Sequence, residues 1–189
     1  MGIRCFLAFE LPPEIRETLS AVSEDAQALS LNVRWIRVAN IHLTVVFMGN
    51  VREDHIGPIG EAAGSLCRGH APFRIQVQGI GLFGSRRNPR VLWVGLGGET
   101  DRMSVFRDVL QKHLAPFGIE EEKRPFRPHL TLGRFRKGAK ADAGVNDLLS
   151  RYRDLNGPEC MIRELGLFKS DLRPGGAEYT RLGLWPLEG

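Results

Sequence analysis

The chain has 189 residues, 42% hydrophobic and 25% charged, a composition typical of a folded globular protein and unlike that of disordered or fibrous chains. No apolar run approaches the ~18 residues of a membrane-spanning helix, the first residues lack a secretion-signal pattern, and Cys5, Cys67 and Cys160 have no paired spacing. We therefore expect a cytoplasmic protein without disulfides, and the net charge of +4 favours an anionic partner.

Arginine supplies 21 of the 26 basic residues. A guanidinium group binds phosphate oxygens in pairs, so this bias suits a phosphate ligand. A GC-rich genome would produce the same bias through codon usage, and composition alone does not separate the two explanations.

Hydrophobic periodicity predicts strands interspersed with helices. The predicted strands are 3–10, 33–37, 42–48 (ended by Gly49-Asn50), 73–83, 91–96, 129–135, 160–168 and 178–185. The first predicted helix begins at Pro12-Pro13. The others run over 56–66, over 100–115 and, with a weaker pattern, over 143–151. Because a regular strand-helix-strand alternation is missing, the order predicts an α+β fold with largely antiparallel sheets.

One four-residue pattern occurs twice, as His42-Leu43-Thr44-Val45 and, 87 positions later, as His129-Leu130-Thr131-Leu132. Side chains alternate along a strand, so each His shares a face with its Thr while the apolar residues point into a core. Two imidazoles with ordinary pKa values near ~6.5 can act as acid and base at neutral pH. The pattern therefore predicts paired acid–base chemistry.

The repetition extends beyond the histidines. Residues 81–85 (Gly-Leu-Phe-Gly-Ser) recur as 166–170 (Gly-Leu-Phe-Lys-Ser), and residues 5–9 align with residues 91–95. Such uniform offsets predict two related lobes about a pseudo-two-fold axis, each presenting one His to a central cleft, with helices outside. We expect one bilobal domain over residues 1–189.

A single His on a strand usually has a structural role, and only the matched repeat favours catalysis here. His55, His70 and His113 have no comparable context, and we interpret them as structural or solvated. Metal binding is the competing hypothesis for a His pair. No Asp, Glu or Cys stands at metal-ligand spacing beside either motif, so we expect no metal.

Two arginines flank the second motif. Arg127 lies two residues before His129, on the same face of a strand, where it could contact an anion. Arg134 lies five residues after it, on the opposite face unless a bulge redirects it. For each, a solvent-exposed arginine is an equally good interpretation.

Further candidates for RNA contact are the basic loop with Arg86, Arg87 and Arg90, and the indole rings of Trp35 and Trp93. A basic loop can bind phosphates and aromatic rings can stack bases. The alternatives are a solvated hairpin tip for the loop and packing within the core for the tryptophans.

The chain resembles the 2H phosphoesterases, specifically the RNA 2′,3′-cyclic phosphodiesterase branch, also called 2′-5′ RNA ligase-like. The segments that carry the resemblance are 4–12, Trp35, 42–49, 90–95, 128–134, 167–170 and Tyr179. The resemblance implies a bilobal fold whose cleft holds one phosphate between two histidines, without a metal. It implies that His42 is the proton donor, His129 the proton acceptor, and Thr44, Thr131 and Arg134 phosphate ligands.

The expected reaction is hydrolysis of RNA 2′,3′-cyclic phosphodiester ends to 2′-phosphomonoesters without a cofactor, with reverse 2′-5′ ligation at the same site. The expected partner is RNA with such an end, including tRNA fragments, bound by a monomer with no membrane contact. The alternatives are a cyclic phosphodiesterase for small nucleotides, a tRNA-processing ligase, and an RNA-binding module with an inactive site. Intact His and Thr in both motifs argue against the last.

Overall fold

A computed structural model of the protein describes residues 2–174 and 176–189. Its strands are β1 Gly2–Phe9, β2 Val33–Trp35, β3 Leu43–Arg52, β4 Phe73–Ser85, β5 Asn88–Gly98, β6 His129–Phe135, β7 Asn156–Ile162, β8 Glu164–Arg173 and β9 Gly176–Pro186. Its helices are α1 Pro13–Ala28, α2 Ile56–Arg68, α3 Thr100–Leu114 and α4 Ala143–Arg151. The predicted α+β class with antiparallel sheets is confirmed. Among the helices described, none is long and apolar enough to cross a membrane.

Each of the two sheets contains strands from both halves of the chain. The first has the order β3-β1-β8-β9 and the second the order β2-β6-β5-β4-β7. The trio β3-β1-β8 is repeated as β6-β5-β4, and corresponding strands contain the segments that recur in the sequence. Because β8 pairs with β1 and β4 pairs with β5, the last strand of each repeat joins the sheet of the other half. Strand β3 of the first sheet contacts β6 of the second, which brings the two motifs to the junction between the sheets.

An aromatic cluster joins both sheets to a helix at the centre of the core. The ring centroids of Phe9 in β1 and Phe73 in β4 lie 5.4 Å apart, and Phe106 in α3 lies 5.5 Å and 5.7 Å from them. All three side chains are fully buried. Burial of one such ring stabilises a fold by roughly 1.5–3 kcal/mol, so the cluster holds the two sheets in a fixed relation.

The helix termini follow from local sequence. Helix α1 begins at Pro13. The backbone N–H groups of the first helical turn have no partner within the helix, so the N–H that proline lacks costs no hydrogen bond there. The carboxylate of Asp142 caps α4 by accepting a hydrogen bond of 3.0 Å from the Val145 N–H. The sequence periodicity predicts an inward face of Ile15, Leu19, Val22, Ala26 and Leu29, and the first four are buried, whereas Leu29 lies just beyond the end of α1 and is only partly buried.

Several predicted boundaries were wrong. The strand expected over 33–37 ends at Trp35, ahead of a 3-10 turn at Val38–Asn40. The single strand expected over 160–168 is two strands, β7 and β8, separated by Arg163. Strand β3 does not end at Gly49 but continues to Arg52. Gly49 adopts a φ of +69° at an irregularity in the pairing with β1, a conformation that glycine tolerates, so the strand passes through this position.

Candidate active site

The two motif histidines are held in the same way. His42 lies immediately before β3, and its Nδ1 is 2.9 Å from the carbonyl oxygen of Asn40. His129 opens β6, and its Nδ1 is 2.7 Å from the carbonyl oxygen of Arg127. A carbonyl oxygen only accepts hydrogen bonds, so Nδ1 carries the hydrogen in both rings. In each neutral ring, Nε2 therefore has a free lone pair that can accept a proton, and the protonated ring can donate that proton again.

Aromatic side chains fix the orientation of both rings. Phe6 stacks on His42 with ring centroids 4.5 Å apart and an interplanar angle of 21°. The edge of Tyr179 meets His42 at 5.1 Å. On the other side of the site, Phe83 meets His129 edge-on at 4.7 Å. These contacts cover each imidazole with apolar surface and reduce its access to water.

That burial lowers the pKa of both histidines. It lowers the pKa of His42 from 6.5 to about 4, with a small further decrease from the Arg16 cation, while the Asn40 carbonyl opposes the shift. Burial also lowers the pKa of His129, the charge of Arg134 adds to the effect, and the Arg127 carbonyl opposes it. Both imidazoles are therefore neutral at pH 7 in the unliganded protein.

A matching β-bulge follows the Thr of each motif. Opposite β1, Thr44 pairs with Ala8 and Val46 with Leu7, so Val45 is the extra residue. Opposite β5, Thr131 pairs with Trp93 and Gly133 with Leu92, so Leu132 is the extra residue. A bulge shifts the alternation of side chains by one position.

The second bulge determines where Arg134 points. In a regular strand this side chain would face away from His129, whereas here it lines a cavity together with His42 and Thr44. Its charge also acts on His129, on the opposite side of the site. Arg134 therefore connects the two motifs.

The cavity has a volume of about 370 Å³ and lies between the two sheets. Its polar and charged lining comes from both halves of the chain and comprises Arg4, Arg34, Arg37, Arg134, Asn40, His42, Thr44, Ser170 and Tyr179, beside Trp35. No Asp or Glu of the described residues lines it. Four arginines without an acidic neighbour in the lining favour an anionic ligand.

The motif threonines occupy the positions that the alternation predicts. Thr44 and Thr131 are half-buried, while Leu43, Val45, Leu130 and Leu132, the apolar members of the motifs, are buried. Thr44 lines the cavity, and Thr131 follows His129 in β6 at the same spacing. Each lobe therefore presents an imidazole and a hydroxyl at matched positions.

The other RNA-contact candidates do not line this cavity, with the exception of Trp35. Arg127 is exposed and supports His129 through its carbonyl oxygen. The guanidinium of Arg86 donates a hydrogen bond to the Asn146 side chain on α4. The side chains of Arg86, Arg87 and Arg90 are all exposed near the β4–β5 turn.

The two strand tryptophans have different surroundings. Trp35 lies opposite Gly133 of β6, where an added Cβ would come within 3.2 Å of the indole ring, so glycine leaves room for this side chain beside the cavity. Trp93 instead packs on Phe83, with ring centroids 5.3 Å apart, and is not part of the cavity lining.

Several cavity residues escaped the analysis of the motifs. Tyr179, Arg4 and Ser170 were expected only as members of segments that carry the family resemblance, and Arg34 and Arg37 were not expected at all. They come from β1, β2, β8, β9 and the segment after β2, far from the motifs in sequence. Only the sheet topology brings them to the histidines.

No three His, Cys, Asp or Glu side chains lie close enough together to hold a metal ion within residues 2–174 and 176–189. The polar groups that face the cavity are imidazole, hydroxyl, carboxamide and guanidinium. Of these, guanidinium has no lone pair to give a metal, and no carboxylate accompanies the imidazoles. The donor set suits an oxyanion.

Comparisons with known proteins identify a family and relatives of this chain. The family model described as LigT like Phosphoesterase matches the chain twice, over residues 9–93 and 95–179. The RNA 2′,3′-cyclic phosphodiesterase of Methanothermobacter thermautotrophicus is 28% identical over 187 residues, covering 99% of this chain and 100% of the relative.

Two solved structures share the fold over nearly their whole length. The protein TT0787 of Thermus thermophilus superimposes with a TM-score of 0.81 at 26% identity, over 99% of both chains. The Escherichia coli LigT complexed with 3′-AMP superimposes with a TM-score of 0.78 at 25% identity, over 100% of both chains.

Proposed function

The chain belongs to the LigT-like 2H phosphoesterases, and we propose that it hydrolyses RNA 2′,3′-cyclic phosphodiester ends to 2′-phosphomonoesters by acid–base catalysis with two histidines. The observation that carries the proposal is the duplicated His–carbonyl hydrogen bond. It leaves one reactive nitrogen, Nε2, on His42, which lines the arginine-rich cavity, and one on His129, on which the charge of the cavity residue Arg134 acts. Relatives named RNA 2′,3′-cyclic phosphodiesterase support the choice of substrate.

In the proposed mechanism His129 is the base. Its neutral Nε2 accepts a proton from a water molecule as the water oxygen forms a bond to phosphorus. Burial lowers the pKa of His129, the nearby Arg134 cation adds to this effect, and both favour the neutral form. Acid and base catalysis each contribute about 10²–10⁴-fold to such reactions.

His42 is the acid in this mechanism. Its Nε2–H donates a proton to the 3′ oxygen as the bond between phosphorus and that oxygen breaks, leaving a free 3′-hydroxyl and a 2′-phosphate. Because the free protein holds His42 neutral, this ring must gain its proton when the anionic phosphate binds. Solvent then returns the two histidines to their starting protonation states.

The non-bridging phosphate oxygens are bound by Thr44, Thr131 and Arg134. Negative charge on these oxygens increases in the transition state, so hydroxyl and guanidinium donors stabilise it more than they stabilise the bound substrate. Trp35 contacts the RNA beside the phosphate, where it lines the cavity. Arg127 and the loop arginines Arg86, Arg87 and Arg90 are exposed and contact a longer RNA through its backbone.

The same groups catalyse the reverse reaction if a 5′-hydroxyl replaces water, which joins two RNA ends through a 2′-5′ linkage. Hydrolysis is favoured as the main reaction because water is present at far higher concentration than any RNA end. The physiological RNA includes tRNA fragments in this proposal, and the protein acts as a cytoplasmic monomer formed by one bilobal domain.

The test is product analysis on a defined substrate. An RNA ending in a 2′,3′-cyclic phosphate is incubated with the protein in excess chelator, and the product is identified by mass spectrometry and by its resistance to nucleases that require a free 2′-hydroxyl. We expect complete conversion to the 2′-phosphate. A 3′-phosphate product, or activity that returns only when a divalent metal is added, would contradict the mechanism. A mononucleotide 2′,3′-cyclic phosphate tested in parallel identifies a small-nucleotide enzyme if it is the better substrate.

A further inference from the structure

A buried arginine on α3 binds the segment of chain that leads into the second motif. Arg107 is 4% exposed, and its guanidinium donates hydrogen bonds to the carbonyl oxygens of Glu122, at 2.8 Å, and Arg124, at 3.1 Å. Its guanidinium carbon lies 5.3 Å from the ring centroid of Phe126, and its Nε lies 3.1 Å from the carboxylate of the exposed Asp108. Removal of a cation from water is costly, and these contacts offset that cost only while the segment stays in place.

Gln111, one turn further along α3, binds the same segment. It is also 4% exposed, and its Oε1 accepts a hydrogen bond of 2.8 Å from the backbone N–H of Glu122. In the part of the chain that the structure describes, no backbone–backbone hydrogen bond involves residues 119–128. The side chains of Arg107 and Gln111 therefore provide the hydrogen bonds that join the backbone of this segment to α3.

The other end of the segment holds the proposed base. The carbonyl oxygen of Arg127 accepts the hydrogen bond of 2.7 Å from Nδ1 of His129. In the first lobe the equivalent carbonyl belongs to Asn40, which lies in a 3-10 turn with backbone hydrogen bonds of its own. The two His–carbonyl bonds thus have different supports, a local turn for His42 and side chains of a helix for His129.

We propose that Arg107 and Gln111 are positioning residues for His129. By holding residues 119–128 they hold the Arg127 carbonyl, which keeps the hydrogen on Nδ1 of His129 and leaves the Nε2 lone pair free to accept a proton. Neither side chain is part of the cavity lining, so their effect on the reaction is indirect. This inference rests on the proposed function, because it takes His129 to be the proton acceptor.

The test measures the tautomer of each histidine by nitrogen nuclear magnetic resonance at neutral pH, together with kcat and KM on cyclic-phosphate RNA. Arg107→Met and Gln111→Leu remove the hydrogen-bonding groups, and Arg107→Lys keeps the charge and one donor group. Circular dichroism confirms that each variant is folded. His42 is an internal control, because its carbonyl partner does not depend on α3.

Arg102→Met is the matched control, because Arg102 makes similar contacts from the same helix to a different segment. Its guanidinium donates hydrogen bonds to the carbonyl oxygens of Ala71, at 3.3 Å, and Pro72, at 3.5 Å, and lies 5.1 Å from the ring centroid of Phe73. That segment leads into β4 and not into a motif histidine. The control should leave kcat and both tautomers close to those of the wild type.

We expect Arg107→Met to give a mixture of the two tautomers at His129, while His42 keeps its hydrogen on Nδ1. It should reduce kcat by about 10- to 100-fold and change KM by less than about three-fold, because small displacements of a catalytic group slow the chemical step. Gln111→Leu should act in the same direction, and Arg107→Lys should restore part of the loss. If Arg107→Met does not fold, Gln111→Leu and Arg107→Lys decide by the same measurements.

Three results would overturn the proposal. They are a His129 tautomer like that of the wild type in the folded variants, equal changes at His42 and His129, and the same effects from Arg102→Met. A change in only one of the two readouts, the His129 tautomer or kcat, would also overturn it, because the proposal makes the second follow from the first.

The outcome is separable from that of the proposed function. A wild type that hydrolyses cyclic-phosphate RNA, together with Arg107 and Gln111 variants that leave the His129 tautomer unchanged, refutes the positioning role alone. A wild type without hydrolytic activity refutes the proposed function. The tautomers still report on the link from α3 to His129 in that case, because their measurement requires no substrate.

Discussion

Burial of the two histidines predicts that kcat/KM is highest on the acid side of the ordinary histidine range. The mechanism needs one protonated and one neutral imidazole, and kcat/KM reports the protonation states of the free protein. Burial lowers the pKa of His42 to about 4 and also lowers the pKa of His129. A histidine whose pKa is lowered loses its proton as pH rises through that lower value, so the basic limb of the profile should lie below pH 6.5.

The size of the effect follows from the shift of His42. An imidazole with a pKa near ~6.5 is half protonated at about pH 6.5, whereas one with a pKa of about 4 carries a proton in roughly one molecule in 300 at that pH. Restoring the proton requires about 3 kcal/mol of favourable interaction, at ~1.4 kcal/mol per pH unit. The anionic phosphate supplies part of this energy when it binds, and solvent screening at the partly open cavity reduces it. We therefore expect the basic limb of kcat to lie at higher pH than that of kcat/KM.

The assay is steady-state hydrolysis of cyclic-phosphate RNA between about pH 4 and about pH 9, with circular dichroism at each pH to confirm folding. Nuclear magnetic resonance titration of the histidine rings in the free protein provides an independent measurement of the pKa values of the two imidazoles. The two limbs belong to a coupled pair, so the position of the profile is the readout and neither limb is assigned to one ring. A basic limb of kcat/KM at or above pH 6.5 would refute the argument from burial, and coincident limbs for kcat and kcat/KM would refute the effect of the phosphate.

Two further predictions concern single residues. His42→Ala and His129→Ala should each reduce kcat by at least ~10²-fold without loss of the folded state, because each removes a proton-transfer group; near-normal turnover in either folded variant would contradict the two-histidine mechanism. Arg134→Ala should reduce kcat/KM by ~10²-fold, because it removes a donor to the phosphate. Arg86→Ala is the matched control, because it removes the same charge outside the cavity. It should change kcat/KM on a short RNA by less than about two-fold, since screened surface charges contribute little. Similar losses of kcat/KM in both variants would show that net charge matters more than the position of the arginine.

Most of the fold follows from patterns that are local in the sequence. The period of α1 and the alternation in the two motif strands depend on neighbouring residues, and the structure buries the residues that these patterns predict except Leu29 at the end of α1. The duplication was visible because similar residues recur at nearly constant offsets, and the family model matches the same two halves. Sheet order was not predictable in this way, because the exchange of β4 and β8 between the sheets depends on contacts between distant segments.

The direction of Arg134 shows the limit of local patterns within the site. Whether this side chain faces the histidines depends on the bulge at Leu132, and that bulge exists only in the pairing of β6 with β5. Alternation along an isolated strand places Arg134 on the wrong face. Tyr179 and Arg4 reach the cavity from β9 and β1, and no feature of either segment by itself indicates that it lies near the motifs.

The two motifs are nearly identical, and yet the proposed mechanism requires their histidines to hold opposite protonation states. The backbone does not distinguish them, because each Nδ1 bonds to the carbonyl two residues earlier and each Thr precedes a bulge. Their neighbours differ in identity and arrangement: Phe6 stacks on His42 and the charge of Arg16 acts on it, whereas Phe83 meets His129 edge-on and the charge of Arg134 acts on it. Each ring has a cation that favours its neutral form, and burial lowers the pKa of His42 to about 4, so the proposed mechanism requires the bound phosphate anion to raise the pKa of His42. The repeated pattern locates the two histidines without assigning the roles of acid and base, and in the proposed mechanism residues outside the motifs make that distinction.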